Sequence, residues 1–195
     1  MKLDLSFYQQ KSVTHVARML LGKGLFTTIR DKTTAGIIVE TEAYSHTERG
    51  CHAFQNRMTK RNEVMFLEGG HAYVYLCYGI HELFNVVTNR EGLADAVLIR
   101  ALEPIEGIDR MMKRMGTTSP NRITSGPGKL TKALGIDRTF NGKAVDSIHL
   151  WIADLGTNLP SRNILSSPRI GIDYAGEDAL LPWRFTIKGN SWVSK

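Results

Sequence analysis

The sequence predicts one α+β domain spanning residues 1–195, and three observations carry that prediction. A chain of 195 residues is long enough to bury a sizeable core, and no interior linker divides it. Short runs of β-branched and aromatic residues recur between turn-forming residues, which is typical of antiparallel strands. Other segments place apolar residues three and four positions apart, which indicates helices.

The N-terminal part predicts a helix followed by a β-hairpin. Apolar residues repeat at helical spacing over residues 12–21, and Gly22 provides the stop. A strand over residues 25–30 and a turn over residues 31–34 then lead into the segment 36–44, GIIVETEAY.

The segment 36–44 carries the most distinctive chemistry. Alternate side chains of a strand share a face, so Glu40, Glu42 and Tyr44 are expected on one surface. An unpaired buried carboxylate is costly or shifts its pKa. The two acids therefore indicate either a functional site or an edge strand whose outer face is wet.

Residues 45–62 are polar and basic. An irregular segment of about this length inside a compact domain is usually functional or disordered. Arg57, Lys60 and Arg61 stand close together in it and are candidates for phosphate contacts.

Histidines and cysteines raise the question of a metal site. His46 and His52 could join Glu42 around a metal ion, but their spacing matches no zinc motif, so contacts with solvent or substrate are the plainer interpretation. Cys51 and Cys77 lack metal-ligand spacing and are expected to be reduced.

Residues 72–89, AYVYLCYGIHELFNVVTN, predict a second hairpin. Its two apolar runs flank Tyr78 and Gly79, and glycine takes a positive φ at no steric cost. Tyr73 and Tyr75 fit either cross-strand packing or a binding surface. A tyrosine at a hairpin tip has little core to join, so Tyr78 indicates contact with a partner.

Residues 95–102 predict another strand, in which Arg100 interrupts an apolar run and needs a carboxylate partner such as Glu42. The pair fits either an active site or an ordinary ion pair. Pro104 is predicted to open an amphipathic helix with a core-facing stripe of Ile105, Ile108, Met111, Met112 and Met115.

A loop over residues 117–129 leads into a helix that begins near Pro127 and ends at Gly135. Backbone amides at this helix start, with Gly128 and Lys129, form a natural phosphate site. The Walker spacing is absent, so a phosphodiester backbone suits the site better than a nucleotide triphosphate. Further strand candidates cover residues 147–155, 169–172 and 183–188.

The net charge of +6 favours a polyanionic partner. No apolar run approaches the length of a membrane span, and the N-terminus lacks the apolar core of a signal peptide. We therefore expect a cytoplasmic protein without a membrane partner.

Several segments together resemble the alkyladenine DNA glycosylase family, also called the 3-methyladenine or methylpurine DNA glycosylases. These segments are VETEAY at 39–44, RNEVMF at 61–66, YVYLCYG at 73–79, VLIRALEP at 97–104, SGPGKLTKALGI at 125–136 and NSWVS at 190–194. They span most of the chain in order. The resemblance implies a curved, mostly antiparallel sheet surrounded by helices, with the Tyr78 hairpin protruding.

The resemblance also implies a catalytic pair and a DNA wedge. Glu42 matches the family's general base, which activates the attacking water. Arg100 matches an arginine close to that water. Tyr78 matches the side chain that enters the duplex in place of the flipped nucleotide.

The same resemblance assigns a base pocket. Tyr44, His52 and Tyr75 match its walls, and Asn85 matches an asparagine that helps to select among purines. Aromatic walls hold an electron-deficient alkylated purine better than a normal one.

The implied reaction is hydrolytic excision of alkylated purines (3-methyladenine, 7-methylguanine) and of hypoxanthine or ethenoadenine from duplex DNA. It leaves an abasic site and initiates base excision repair. Water rather than lysine is the nucleophile, so no strand cleavage is expected. We expect damaged double-stranded DNA as the partner, a monomer, and no metal, cofactor or obligate protein partner.

Two alternatives stay open from the sequence. One is a non-catalytic module that binds damaged DNA for another protein. The other is a metal-dependent hydrolase that uses His46, His52 and Glu42.

Overall fold

The computed structural model describes all 195 residues, which form an eight-stranded sheet with helices around it. The strands are β1 (Gly24–Ile29), β2 (Lys32–Tyr44), β3 (Ala72–Cys77), β4 (His81–Thr88), β5 (Asp95–Glu106), β6 (Leu150–Ala153), β7 (Ile164–Ser167) and β8 (Arg184–Ile187). The α-helices are α1 (Leu5–Tyr8), α2 (Val13–Leu20), α3 (Ile108–Met115) and α4 (Pro127–Leu134). Short 3₁₀ segments lie at Phe54–Asn56, Glu63–Phe66, Arg138–Phe140, Ser161–Asn163 and Asp173–Leu180.

Every strand pairing is antiparallel, which confirms the predicted α+β class. The main path of the sheet runs β3-β4-β5-β2-β1-β6, and β8 adds to β2 and carries β7. No helix is long and apolar enough to cross a membrane.

Strand β2 lies at the centre of the sheet. It pairs with β5 along one edge, and along the other it pairs first with β1 and then with β8. Glu40 and Glu42 fall in the part flanked by β5 and β8, and both residues are fully buried. The edge-strand interpretation of these two acids is therefore wrong.

The N-terminal predictions are confirmed. Ser12 caps α2 by accepting a hydrogen bond from the backbone N–H of His15. The β1–β2 turn is shorter than predicted because Arg30 and Asp31, at φ 50° and 57°, close the hairpin with two left-handed residues. Thr41 ties α2 to the central strand, since its hydroxyl donates to the Ala17 carbonyl at 2.9 Å.

The prediction that Pro104 opens a helix is wrong. Strand β5 continues through Pro104, which lies opposite Gly36 beside an irregularity in the strand register. A proline is tolerated there because the ladder is already interrupted. Helix α3 begins only after Gly107, whose φ of 71° turns the chain.

The methionine stripe is core, as predicted, but the isoleucines are not. Met111 is fully buried in α3, and Met112 and Met115 pack against the core from partly buried positions. Ile105 and Ile108 are exposed instead. Ile105 still belongs to β5, and Ile108 is the first residue of α3, so neither lies on the core-facing side of the helix.

The predicted strand over residues 169–172 is also wrong. This segment is irregular, and the strand in this region is the earlier β7. Its Arg169 side chain and Ile170 N–H bind the carboxylates of Glu48 and Glu42 rather than a neighbouring strand. Of the other two candidates, 147–155 shortens to β6 and 183–188 becomes β8.

Candidate active site

The carboxylate of Glu42 is buried and oriented by three donors. Its Oε2 accepts hydrogen bonds from the Tyr44 hydroxyl at 2.8 Å and from Arg100 Nη1 at 3.3 Å. Its Oε1 accepts the backbone N–H of Ile170 at 2.8 Å. A carboxylate offers about four acceptor sites, so these three donors leave roughly one unused, although no surface of Glu42 is open to solvent while the three residues cover it.

The neighbouring acid, Glu40, is fully engaged. Its oxygens accept hydrogen bonds from Arg100 Nε at 2.9 Å, from Arg184 Nε at 2.7 Å, and from the backbone N–H and hydroxyl of Ser194 at 2.7 and 2.8 Å. Burial raises the pKa of Glu40. The hydrogen bonds from Ser194 and Arg184, together with the charge of Arg100, outweigh this effect, so the pKa lies below its ordinary value. Glu40 is therefore a structural anion that holds Arg100 beside Glu42.

A cavity of about 810 Å³ opens next to this pair. Four rings that we call the aromatic wall line one part of it: Tyr44, His52, Tyr73 and Tyr75. The start of α4, Gly126 to Lys129, lines another part. Tyr44, Arg100 and Ile170 line the cavity, and Glu42 lies behind them. Each of the three donates a hydrogen bond to the Glu42 carboxylate.

The aromatic wall is packed by its own contacts. The His52 and Tyr75 ring centroids are 4.6 Å apart with planes at 70°, and those of Tyr73 and Tyr75 are 5.4 Å apart. His52 Nδ1 lies 3.0 Å from the Tyr73 hydroxyl. Although His52 as a residue is exposed, this ring packing removes water from the imidazole. The desolvation, with the charge of Arg61 as a smaller cause, lowers its pKa to about 4.

We expect the His52 imidazole to titrate near pH 4, well below the ordinary value of 6.5. The folded protein binds this proton less tightly than the unfolded chain does. The stability linked to neutral His52 is thus complete above pH 6.5 and is lost as the pH falls through about 4. NMR titration of labelled histidines, with His52→Gln to assign the resonance, measures this. A midpoint at pH 6 or above would contradict the packing described.

The remaining predicted pocket and wedge residues meet at the same cavity. Asn85 is buried, lines the cavity and donates from its side chain to the Tyr73 carbonyl at 3.1 Å. Tyr78 sits at the tip of the β3–β4 hairpin with 88% of its surface exposed and a φ of 49°. Ile80 beside it is 72% exposed, so the tip presents an apolar surface to solvent.

The candidate phosphate-binding residues separate into three places. Arg57 and Lys60 are exposed on the 45–62 segment outside the cavity lining. Gly128 and Lys129 line the cavity at the start of α4. Arg61 lines the cavity too, with its guanidinium 5.7 Å from the centroid of the Tyr75 ring.

Sequence reasoning missed a buried ion pair behind the aromatic wall. Arg169 binds Glu48 through two hydrogen bonds of 2.6 and 2.7 Å, and it donates to the Ala43 carbonyl at 2.8 Å. Its guanidinium lies 4.7 Å from the centroid of the Tyr44 ring. The available signal was an arginine beside the apolar Ile-Gly-Ile run, the same kind of pattern that drew attention to Arg100.

The arrangement required by the metal-hydrolase alternative is not formed. His46 Nδ1 lies 2.8 Å from an Asp95 carboxylate oxygen, and His52 binds Tyr73. No group of three or more His, Cys, Asp or Glu side chains converges on a point that could hold a metal ion. Cys51 and Cys77 are free thiols, as predicted.

The chain matches known proteins over nearly its whole length. A family model described as methylpurine-DNA glycosylase (MPG) matches residues 6–191. A relative from Methanocella arvoryzae is 47% identical over 196 residues, covering 99% of this chain and 96% of the relative. Relatives from Methanoculleus marisnigri and Chlamydia felis are each 45% identical, covering 100% and 95% of both chains respectively. All three carry the provisional name of a 3-methyladenine DNA glycosylase.

Proposed function

The chain belongs to the methylpurine-DNA glycosylase family, as its motifs predicted, and from this premise we propose that it is a monofunctional glycosylase acting on duplex DNA. Its substrates are alkylated purines together with hypoxanthine and ethenoadenine. The observation that carries the proposal is a buried glutamate held by three donors behind an aromatic cavity, beside an exposed tyrosine hairpin.

Tyr78 is the proposed wedge. A base inside a duplex is out of reach, so the enzyme must rotate the nucleotide outward at a cost of a few kcal/mol. A side chain that is 88% exposed at the tip of a tight hairpin can enter the stack without unfolding anything. Tyr78 then occupies the gap and prevents the nucleotide from returning.

The aromatic wall is the proposed receptor for the flipped base. Each ring that faces a cationic alkylpurine adds roughly 0.5 to 2 kcal/mol of cation-π attraction. His52 is neutral at physiological pH because of its lowered pKa, so it does not repel a positively charged base. Asn85 offers a polar group on the same cavity for selecting among purines.

Glu42 is the proposed general base. As the C1′–N9 bond breaks, the sugar gains oxocarbenium character, which a nearby carboxylate stabilises. A water reaches the unused acceptor site of Glu42 once the bound nucleotide has shifted the side chains that cover it; this water attacks C1′ and gives its proton to the carboxylate. Arg100 and the Ile170 N–H keep that carboxylate in place, and the product is an abasic site.

Duplex docking is proposed for two sets of groups, one in the exposed basic segment and one at the start of α4. Arg57 and Lys60 on the 45–62 segment, with Gly128 and Lys129 at the start of α4, are proposed to contact phosphates. Such contacts position the duplex without reading its sequence. We propose that a monomer suffices and that the reaction needs no cofactor or protein partner.

Excision from an end-labelled duplex with a single 7-methylguanine or hypoxanthine tests the proposal. We expect a strand break at the lesion only after alkaline treatment, because a water nucleophile leaves an intact abasic strand. Borohydride should trap no protein–DNA adduct. Tight binding without release of either base, or of free 3-methyladenine from alkylated DNA, would instead support the non-catalytic binding module.

A further inference from the structure

We propose that Arg61 selects the base: it binds the O6/N7 edge of a neutral oxopurine such as hypoxanthine and stabilises the negative charge that departs with it. This inference rests on the proposed function. It gives Arg61 a different task from the phosphate contact that its place in a basic segment suggested.

Arg61 is an available cation in the cavity. The other cavity arginine, Arg100, is held by Glu40 and Glu42, whereas no carboxylate pairs with Arg61. Arg61 is exposed, so its guanidinium is free to change rotamer and turn toward a bound base. A guanidinium presents five N–H donors in a planar fork.

The guanidinium is already next to the groups that would hold the base. It lies 5.7 Å from the centroid of the Tyr75 ring. Its charge also reaches the other rings, because it adds to the effect of burial in lowering the pKa of His52 and opposes the effect of burial on Tyr73. A base stacked on the aromatic wall would thus have Arg61 at its rim.

The chemistry of a neutral leaving group calls for such a donor. Hypoxanthine carries no positive charge, so when C1′–N9 breaks the bonding pair leaves on the purine as an anion spread over its ring nitrogens and O6. Arginine binds an O6/N7 edge through two hydrogen bonds, and these strengthen as the edge becomes negative. Arg61 keeps its proton, and the departing base gains one that water delivered through Glu42.

A cationic substrate needs no such help. In 7-methylguanine the N7 acceptor is methylated, and the base leaves as a neutral molecule. The positive charge of Arg61 repels this base before it departs, and no negative charge develops on the departing base for Arg61 to stabilise. Guanine shares the O6/N7 edge with hypoxanthine, so its rejection must come from another group of the cavity, for which Asn85 is placed.

The test compares Arg61→Met with a matched control, Arg57→Met, from the same exposed segment but outside the cavity lining. Single-turnover excision is measured at saturating enzyme on duplexes with one hypoxanthine or one 7-methylguanine. We expect Arg61→Met to slow hypoxanthine excision by about tenfold or more, as for a lost charge-stabilising donor, and to leave 7-methylguanine excision unchanged or faster. Arg57→Met should leave the ratio of the two rates unchanged.

Three outcomes would overturn the inference. Equal loss on both duplexes, with a shallower salt dependence of binding, would make Arg61 a phosphate contact. Unchanged rates on both duplexes would mean that Arg61 takes no part in excision. If the wild-type protein excises 7-methylguanine but not hypoxanthine, Arg61 does not promote departure of a neutral oxopurine. If the wild-type protein is inactive on both duplexes, the proposed function fails rather than this inference. Retained excision of 7-methylguanine shows that the Arg61→Met variant is folded.

Discussion

A Glu42→Gln variant is expected to bind a duplex containing hypoxanthine normally and to excise the base roughly 10² to 10⁴ times more slowly than wild type. The glutamine carbonyl can still accept the Ile170 N–H, and its amide can donate to the Tyr44 hydroxyl. The amide cannot accept from Arg100, but Glu40 still holds that guanidinium. Glutamine cannot take a proton from water, however, and it carries no charge to stabilise the sugar cation. Single-turnover excision and a separate binding titration measure the two halves of the prediction.

Glu40→Gln is the matched control because it alters the same group two residues away on the same strand. The Glu40 carboxylate accepts four hydrogen bonds. In the glutamine variant one oxygen becomes an NH2 group, which donates and therefore faces other donors without an acceptor. We expect this variant to lower thermal stability more than Glu42→Gln does and to retain more of the excision rate. Equal loss of excision in both variants would show that the two acids are not distinguished as the geometry indicates.

Local signals explain why the hairpins and the face of β2 could be predicted. The runs on either side of Tyr78 and Gly79 pair within one short stretch of chain, and the positive φ of both residues satisfies the turn. Likewise, β-branched residues beside alternating acids suffice to place Glu40 and Glu42 in a strand.

The distinction between the two acids could not be predicted, because distant residues make it. Arg184 and Ser194 saturate Glu40 from more than 140 positions along the chain, and Ile170 reaches Glu42 from a segment that was predicted to be a strand. Periodicity carries no information on such contacts. The place of Arg61 in the cavity is hidden in the same way, since a basic run looks identical whether its members face solvent or a pocket.

The buried Arg169–Glu48 pair gives the second large prediction. Arg169→Met should reduce the free energy of unfolding by about 3 to 5 kcal/mol, because it leaves the Glu48 carboxylate buried without its partner. Urea unfolding measures this loss. Arg138→Met, at an ion pair in which the arginine is 66% exposed, is the control and should cost at most about 1 kcal/mol. Similar losses in the two variants would contradict the assignment.

A double variant separates the two consequences of losing Arg169. In Glu48→Met/Arg169→Met no charge stays buried alone, so much of the unfolding free energy should return. The guanidinium beside the Tyr44 ring and its hydrogen bond to the Ala43 carbonyl do not return, and the Ile170 N–H that binds Glu42 loses its anchored neighbour. Excision should therefore stay below the wild-type rate in a protein whose stability has recovered. Full recovery of both would mean that the ion pair stabilises the fold without positioning the site.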